Sequence, residues 1–298
     1  MNKEINNVTY IENYDSVPVV RFHPFDDMKW LNCGFSTRIG GVSTGCHSSL
    51  NLGFERGDDR KNVIHNFKLF SESAGFDVNR ICLPAQWHTN NIRIAHADDC
   101  AVQIFNSDTN LRNGRGNITE EEKLRNAIDG QITDEQGIVL IAYGADCTSV
   151  YLADPKHHAI GLVHSGWKGT LNSITVEALR LMNREFQTAP EDVVAVIGPS
   201  ISSENYEVGF DVAGHFIRKH NIVVTGYSPI VKTGIREGKY QLDLWEANRA
   251  NLLNANVRFE NIHISGMCTF KEEELFYSHR RDGNARGVMA AFMSINIQ

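Results

Sequence analysis

The sequence predicts an α+β (α/β sandwich) fold, with a large mixed β-sheet flanked by helices. Three observations predict it. Apolar, β-rich runs at 138–143, 149–153 and 159–163 follow one another with only short turns between them. Longer stretches with apolar residues at helical spacing lie on either side. The strand-like runs cluster instead of alternating strictly with helices, which favours a mixed sheet over a doubly wound parallel one.

In chain order, residues 19–22 and 30–37 read as strands, with Pro18 tolerated at a strand start. A glycine turn, Ile39-Gly40-Gly41-Val42-Ser43, and a small-residue loop, Ser49-Leu50-Asn51-Leu52-Gly53, follow. Asp58 and Asp59 suit a helix N-terminus; Val63, Ile64, Phe67 and Phe70 then recur at helical spacing, and Gly75 suits its end. Residues 81–87 and 92–95 read as a second strand pair. The stretch 107–126 is polar and charged without an apolar period, which predicts an exposed insertion with a short helix at 120–126. Asp154-Pro155 marks the turn between the last two central strands. Residues 168–186 read as one long helix with Leu171, Ile174, Ala178, Leu181 and Met182 inward. Pro190 precedes a strand at 193–197; helices at 208–219 and 242–254 and strands at 262–265 and 288–295 complete the chain. No repeat, heptad or low-complexity tract divides it, so a single domain over 1–298 is expected.

The composition narrows the function classes. The 298 residues carry a formal net charge of −7, which argues against a broad nucleic-acid footprint while leaving room for a local cationic pocket. The N-terminus lacks the apolar run of a secretory signal, and no apolar stretch is long enough to span a bilayer. A soluble, cytoplasmic protein with no membrane partner is expected. The six cysteines are scattered without a CxxC, a pattern of thiols and not of a disulfide frame. No pattern specifies an oligomeric state.

One of those thiols has a chemical context. Gly144-Ala145-Asp146-Cys147-Thr148 closes one buried strand, and Val163-His164-Ser165-Gly166-Trp167-Lys168-Gly169 closes another just before a helix. Cys147 and His164 lie seventeen positions apart across this strand pair, so both can project from one rim of the sheet. Either alone reads best as a buried thiol or a satisfied turn histidine; the pair, flanked by Asp146 and Lys168, favours a site. His88, in Gln86-Trp87-His88-Thr89, follows a third strand end. Two imidazoles and a thiolate would leave one tetrahedral position of a zinc ion open, the catalytic pattern. Arg38 and Arg281, with Arg280 and Arg286 nearby, offer guanidinium for a phosphate or carboxylate; any single arginine reads better as a solvated loop residue, and the glycine-rich context favours Arg38 and Arg281. Asn51 could hold substrate or cap a turn. P-loop, dinucleotide, GxSxG and HExxH patterns are absent.

These motifs together resemble one family. FSTRIGGVS, SLNLG with a following GDD, QWH, DGQITD, ADC, VHSGWKG, IGPSIS, CT and SHRRDG occur in the order seen in the laccase-domain, or YfiH-like, family. The resemblance runs from about Phe35 to Phe292. It implies a single α/β domain with a large mixed sheet and a zinc-type site, copper being possible, on His88, Cys147 and His164. It also implies phosphorolysis of adenosine, inosine and methylthioadenosine, with adenosine deaminase activity beside it, so purine nucleoside and phosphate are the expected small-molecule partners. The chain departs from the family pattern at Thr89, Ser149 and Ser165, none of which is a ligand position.

Both reactions suit the motifs. A metal site with an open position acidifies water for deamination, with Asp146 as the acid–base candidate. Arg38, Arg281 or Lys168 could supply charge for phosphate. Two other activities are conceivable from these residues: hydrolysis of peptidoglycan precursors with Cys147 as nucleophile and His164 as base, and copper-dependent polyphenol oxidation. The second lacks the HxH pairs that a multicopper centre needs. A closed four-ligand metal site would instead indicate a non-enzymatic role, and no fourth ligand stands in the three motifs.

Overall fold

Strand order follows from which runs are apolar on both faces. The computed structural model describes residues 2–101, 119, 126–220 and 230–297. The expected insertion at 107–126 and its helix at 120–126 lie, save residues 119 and 126, outside the described residues.

The strands in the first half are β1 (Lys3–Glu4), β2 (Thr9–Glu12), β3 (Val19–Phe22), β4 (Leu31–Ser36), β5 (Ile81–Cys82), β6 (Ile92–Ile94), β7 (Gly130–Thr133) and β8 (Val139–Gly144). Then come β9 (Thr148–Asp154), β10 (Ala159–Ser165), β11 (Val194–Ile197), β12 (Glu207–Gly209), β13 (Val231–Thr233), β14 (Lys239–Leu242), β15 (Ile262–Ile264) and β16 (Met289–Ile295). They form a seven-stranded sheet in the order β1-β2-β3-β4-β16-β8-β5 and a six-stranded sheet in the order β15-β11-β9-β10-β7-β6. A small third sheet runs β12-β14-β13. The fold is α+β with mixed sheets, as expected, but the one large sheet is two.

The two large sheets pack face to face. Leu140 and Ala142 of β8, Tyr151 and Ala153 of β9, Ile160 and Leu162 of β10, and Met289, Ala291 and Met293 of β16 share one apolar core between them. The alternate residues face the other way. Val139, Ile141, Ala290 and Phe292 pack with Val63, Phe67 and Phe70 of the helix Arg60–Ala74. Val150, Leu152, Ala159 and Val163 pack with Ala178, Leu179 and Met182 of the helix Ile174–Phe186. A strand covered on both faces has no polar side, so it reads as a continuous apolar run.

Three local expectations are corrected. Residues 81–87 and 92–95 do not pair. β5 is short because Pro84 lies just beyond it and offers no N–H; β5 joins the first sheet parallel to β8, whereas β6 joins the second parallel to β7. Residues 83–91 therefore cross from one sheet to the other, carrying His88. The long helix at 168–186 is broken into Trp167–Leu171 and Ile174–Phe186 by Ser173, whose φ of 57° is left-handed. Residues 207–209 form β12, with the helix Phe210–Lys219 after it, and Leu242 ends β14 ahead of the helix Leu244–Asn254.

Candidate metal centre

The antiparallel register of β9 and β10 pairs His164 with Ser149 and Ser165 with Thr148. Cys147 stands one residue before β9, so it and His164 meet at the open end of the hairpin. The crossing segment 83–91 brings His88 to the same place. The ligand atoms of His88, Cys147 and His164 all lie within 4.8 Å of one another. His164 is buried, Cys147 half-buried and His88 exposed.

Asp129 organises this trio. Its carboxylate accepts from the backbone N–H of Trp87 (3.1 Å), His88 (3.0 Å) and Thr89 (2.7 Å), and from Thr89 Oγ1 (2.7 Å). The His164 Nδ1 lies 2.9 Å from Asp129 Oδ1. The ring therefore donates through Nδ1, and Nε2 is left for a ligand bond. Burial opposes the charge of Asp129, but the bonds and charge from His164 and the Thr89 donors outweigh it and lower its pKa to about 2. Burial likewise opposes protonation of His164, yet the Cys147 charge and the Asp129 bond raise its pKa to about 10. Packing around the inner side of the His88 ring, with the His164 charge, lowers its pKa to about 4.

The donor set fits a metal ion. A Cβ at Gly166 would stand 2.9 Å from His88 Nδ1 and 3.1 Å from Cys147 Sγ, so only glycine keeps this cradle open. The backbone is left-handed at His88 (φ 59°) and Asp146 (φ 90°), strain that tertiary bonds must hold. Asp146 carries three such bonds. Its Oδ1 accepts from Thr269 Oγ1 (2.7 Å), and its Oδ2 from Ser278 Oγ (3.0 Å) and Arg280 N–H (2.6 Å).

The trio forms one wall of a cavity of about 350 Å³. Phe54, Leu83, Pro84 and Val288 give it apolar surface, Arg56 and Arg286 give it positive charge, and Glu55 and His279 add a carboxylate and an imidazole. Tyr143 lines it too; burial raises its pKa, and its hydroxyl has no hydrogen-bond partner among the described residues.

Asp146, the acid–base candidate, does not line this cavity, because its carboxylate is taken up by the three bonds above, and neither do Arg38, Arg281, Asn51 and Lys168. Arg38 stacks over Tyr277 and donates to the carbonyls of Ser48 and Glu273. Arg281 pairs with Asp282 and donates to the carbonyls of Thr269, Phe270 and Phe276. Asn51 is buried; its Oδ1 accepts from Gly53 N–H and Val288 N–H, and its Nδ2 donates to Asp58. Lys168 is exposed beside the Trp167 ring, near enough for its charge to lower the His88 pKa further. Asp129, Arg56 and Tyr143 are not singled out by the sequence, and Arg286 is only as a neighbour of Arg281. Asp129 opens the DGQITD motif, a signal that was present; lone arginines and a strand tyrosine carry none.

The model of the multi-copper polyphenol oxidoreductase laccase family matches residues 32–296. The chain belongs to this laccase-domain, YfiH-like family. Among its relatives, the purine nucleoside phosphorylase YlmD of Geobacillus stearothermophilus is 34% identical over 275 residues, 89% of this chain and 93% of that one. A purine nucleoside phosphorylase of Bacteroides thetaiotaomicron is 34% identical over 256 residues, 85% and 87% of the two chains. The crystal structure of the Geobacillus YlmD superposes with a TM-score of 0.81 at 30% identity, covering 96% of this chain and 99% of that one. The YfiH protein of Bacillus licheniformis superposes with a TM-score of 0.79 at 28% identity, over 98% and 97%. Like these laccase-domain proteins, the chain is a mixed α+β fold with large sheets flanked by helices. No helix among its described residues is long and apolar enough to cross a membrane.

Proposed function

We propose that this laccase-domain chain acts as a single cytoplasmic enzyme domain that cleaves the glycosidic bond of purine nucleosides with phosphate. Adenosine, inosine and methylthioadenosine are its substrates, and deamination of adenosine is a second activity. The observation that carries this reading is the two-histidine, one-cysteine cluster set into the wall of a cavity of a size suited to a small molecule. Relatives named purine nucleoside phosphorylase support it.

His88, Cys147 and His164 would hold Zn²⁺, or copper in the same donor set, with one position left open. When bound, such an ion supplies Lewis acidity to the cavity. The protein's own groups do the rest. Asp129 fixes the His164 tautomer and the backbone of 87–89 together. Asp146 holds the strained turn that presents Cys147, which makes it a positioning residue. The apolar wall of Phe54, Leu83 and Val288 suits a purine ring. In phosphorolysis the bond between the anomeric carbon and the base nitrogen breaks, and the electron pair leaves with the base, which takes up a proton. A phosphate oxygen then bonds the anomeric carbon, and the phosphate loses the proton that balances the one gained by the base.

The test is a purine-release assay on zinc-loaded protein with adenosine, with and without phosphate, beside a Cys147→Ala variant. Phosphate-dependent adenine from the parent alone is the expected result. Inosine formed without phosphate would report the deaminase. Neither product from fully loaded protein would overturn the reading. Activity that survives chelation together with a covalent adduct on Cys147 would point to a cysteine hydrolase instead.

A further inference from the structure

Two arginines of the cavity, Arg56 and Arg286, make no ion pair among the described residues, although Glu55 lines the same cavity. Arg286 is only 6% exposed. Its Nη1 donates to the Gly283 carbonyl at 3.0 Å, and its Nε has no partner among the described residues. Arg56 stands on the same cavity, and its charge bears on Arg286 closely enough to lower the latter's pKa, after burial itself. A half-satisfied guanidinium beside a second cation is costly to bury, and an anion bridging the two would remove both costs.

The two loops are built to one register. Asn51 Oδ1 accepts from Gly53 N–H at 3.0 Å and from Val288 N–H at 3.0 Å. The N–H of Leu52 donates to the Val288 carbonyl at 3.0 Å. The carbonyl of Arg56 is held by His47 Nε2 at 2.8 Å. The segments carrying Arg56 and Arg286 are thereby stitched together two to four residues from each arginine. His279, the third basic group of the cavity, is tied by Nδ1 to the carbonyl of Gly283 at 3.2 Å, the same oxygen that Arg286 uses.

We propose that Arg56 and Arg286 together form an oxyanion site in this cavity and hold a phosphoryl group, either free inorganic phosphate or the phosphate of a nucleotide. Planar guanidinium groups match phosphate oxygens in pairs, which a lysine does not. The choice of phosphate as the anion rests on the phosphorylase reading; the place of the site does not. Asn51 is its positioning residue, because it joins the loops that carry the two arginines.

The test measures binding and not turnover. Inorganic phosphate, AMP and adenosine are titrated calorimetrically onto intact zinc-loaded protein at constant ionic strength. The parent is compared with Arg56→Met, Arg286→Gln and an exposed control far from the cavity, Arg180→Met. The expected result is phosphate binding that weakens about tenfold or more in both cavity variants, with adenosine affinity and the control nearly unmoved. Should Arg286→Gln fail to fold, Arg56→Met alone decides, since Arg56 is exposed. Equal phosphate and AMP affinity in parent and Arg56→Met would overturn the site, as would no binding of either anion. AMP binding without phosphate binding would keep the arginine pair and sink the phosphorylase reading, so the two failures are distinguishable.

Discussion

Asp129 shows how one buried carboxylate sets a site. It accepts four bonds from the segment 87–89 and one from His164, so two of the three candidate ligands depend on it. Asp129→Asn cannot accept from all these donors at both oxygens. It should weaken metal retention by about 10–100-fold, read by competition with a coloured chelator. Retention equal to the parent would show that His164 is oriented by packing alone. Asp58 plays a comparable part in the Arg56 loop. Burial raises its pKa, but donors from Asn51, Ser43 and the Asp59 N–H outweigh this and hold it below the usual carboxylate value. A depressed folded-state pKa means stability that is present above the unfolded value and lost as pH falls through the folded one. Asp58→Asn should therefore cost about 1 kcal/mol at neutral pH, with the gap to the parent closing below about pH 4. Thermal melts across that range check it; a gap constant with pH would remove the charge from the explanation.

At the scale of elements, the turn after His164 hangs on a helix distant in sequence. Ser165 Oγ donates to Asn248 Oδ1 at 2.7 Å, Asn248 Nδ2 reaches Thr170 Oγ1 at 3.2 Å, and Asn251 Nδ2 reaches the Thr170 carbonyl at 2.8 Å. The helix Leu244–Asn254 thus clamps the 165–170 segment, which the break at Ser173 frees from the helix after it. Asn248→Ala removes the acceptor of the buried Ser165 hydroxyl and should cost about 1 kcal/mol, seen as a lower urea midpoint. An unchanged midpoint would mean that Ser165 and Thr170 satisfy each other, as their 2.9 Å contact permits. Expectation failed at this scale for a consistent reason. β12, β13 and β14 are short and half-exposed, so they lack the apolar run by which β8, β9 and β10 announce themselves. The apolar spacing of 168–186 continues on both sides of Ser173, so it hides the left-handed kink there, where the Ser173 hydroxyl bonds Lys219 and Asn251.

At the scale of the molecule, the three ligands come from the hairpin of one sheet and a segment crossing between sheets, so bound metal ties the sandwich together. Saturating zinc should raise the melting temperature by about 5 °C, and neither Cys147→Ala nor Gly166→Ala, whose Cβ fills the cradle, should respond. A rise of equal size in both variants would place the metal elsewhere. The sequence by itself determined the α+β class, the central strands, the helix after Asp59 and the pairing of Cys147 with His164. Those features rest on local periodicity and on the fixed geometry of a hairpin, where spacing along the chain becomes distance in space. Only the tertiary structure decided that there are two sheets, and that 83–91 crosses between them. It also decided that Arg38 and Arg281 are spent on backbone carbonyls, while Arg56 and Arg286 line the cavity. An arginine's type is the same in every loop; what it can bind depends on which partners the fold has already brought to its donors.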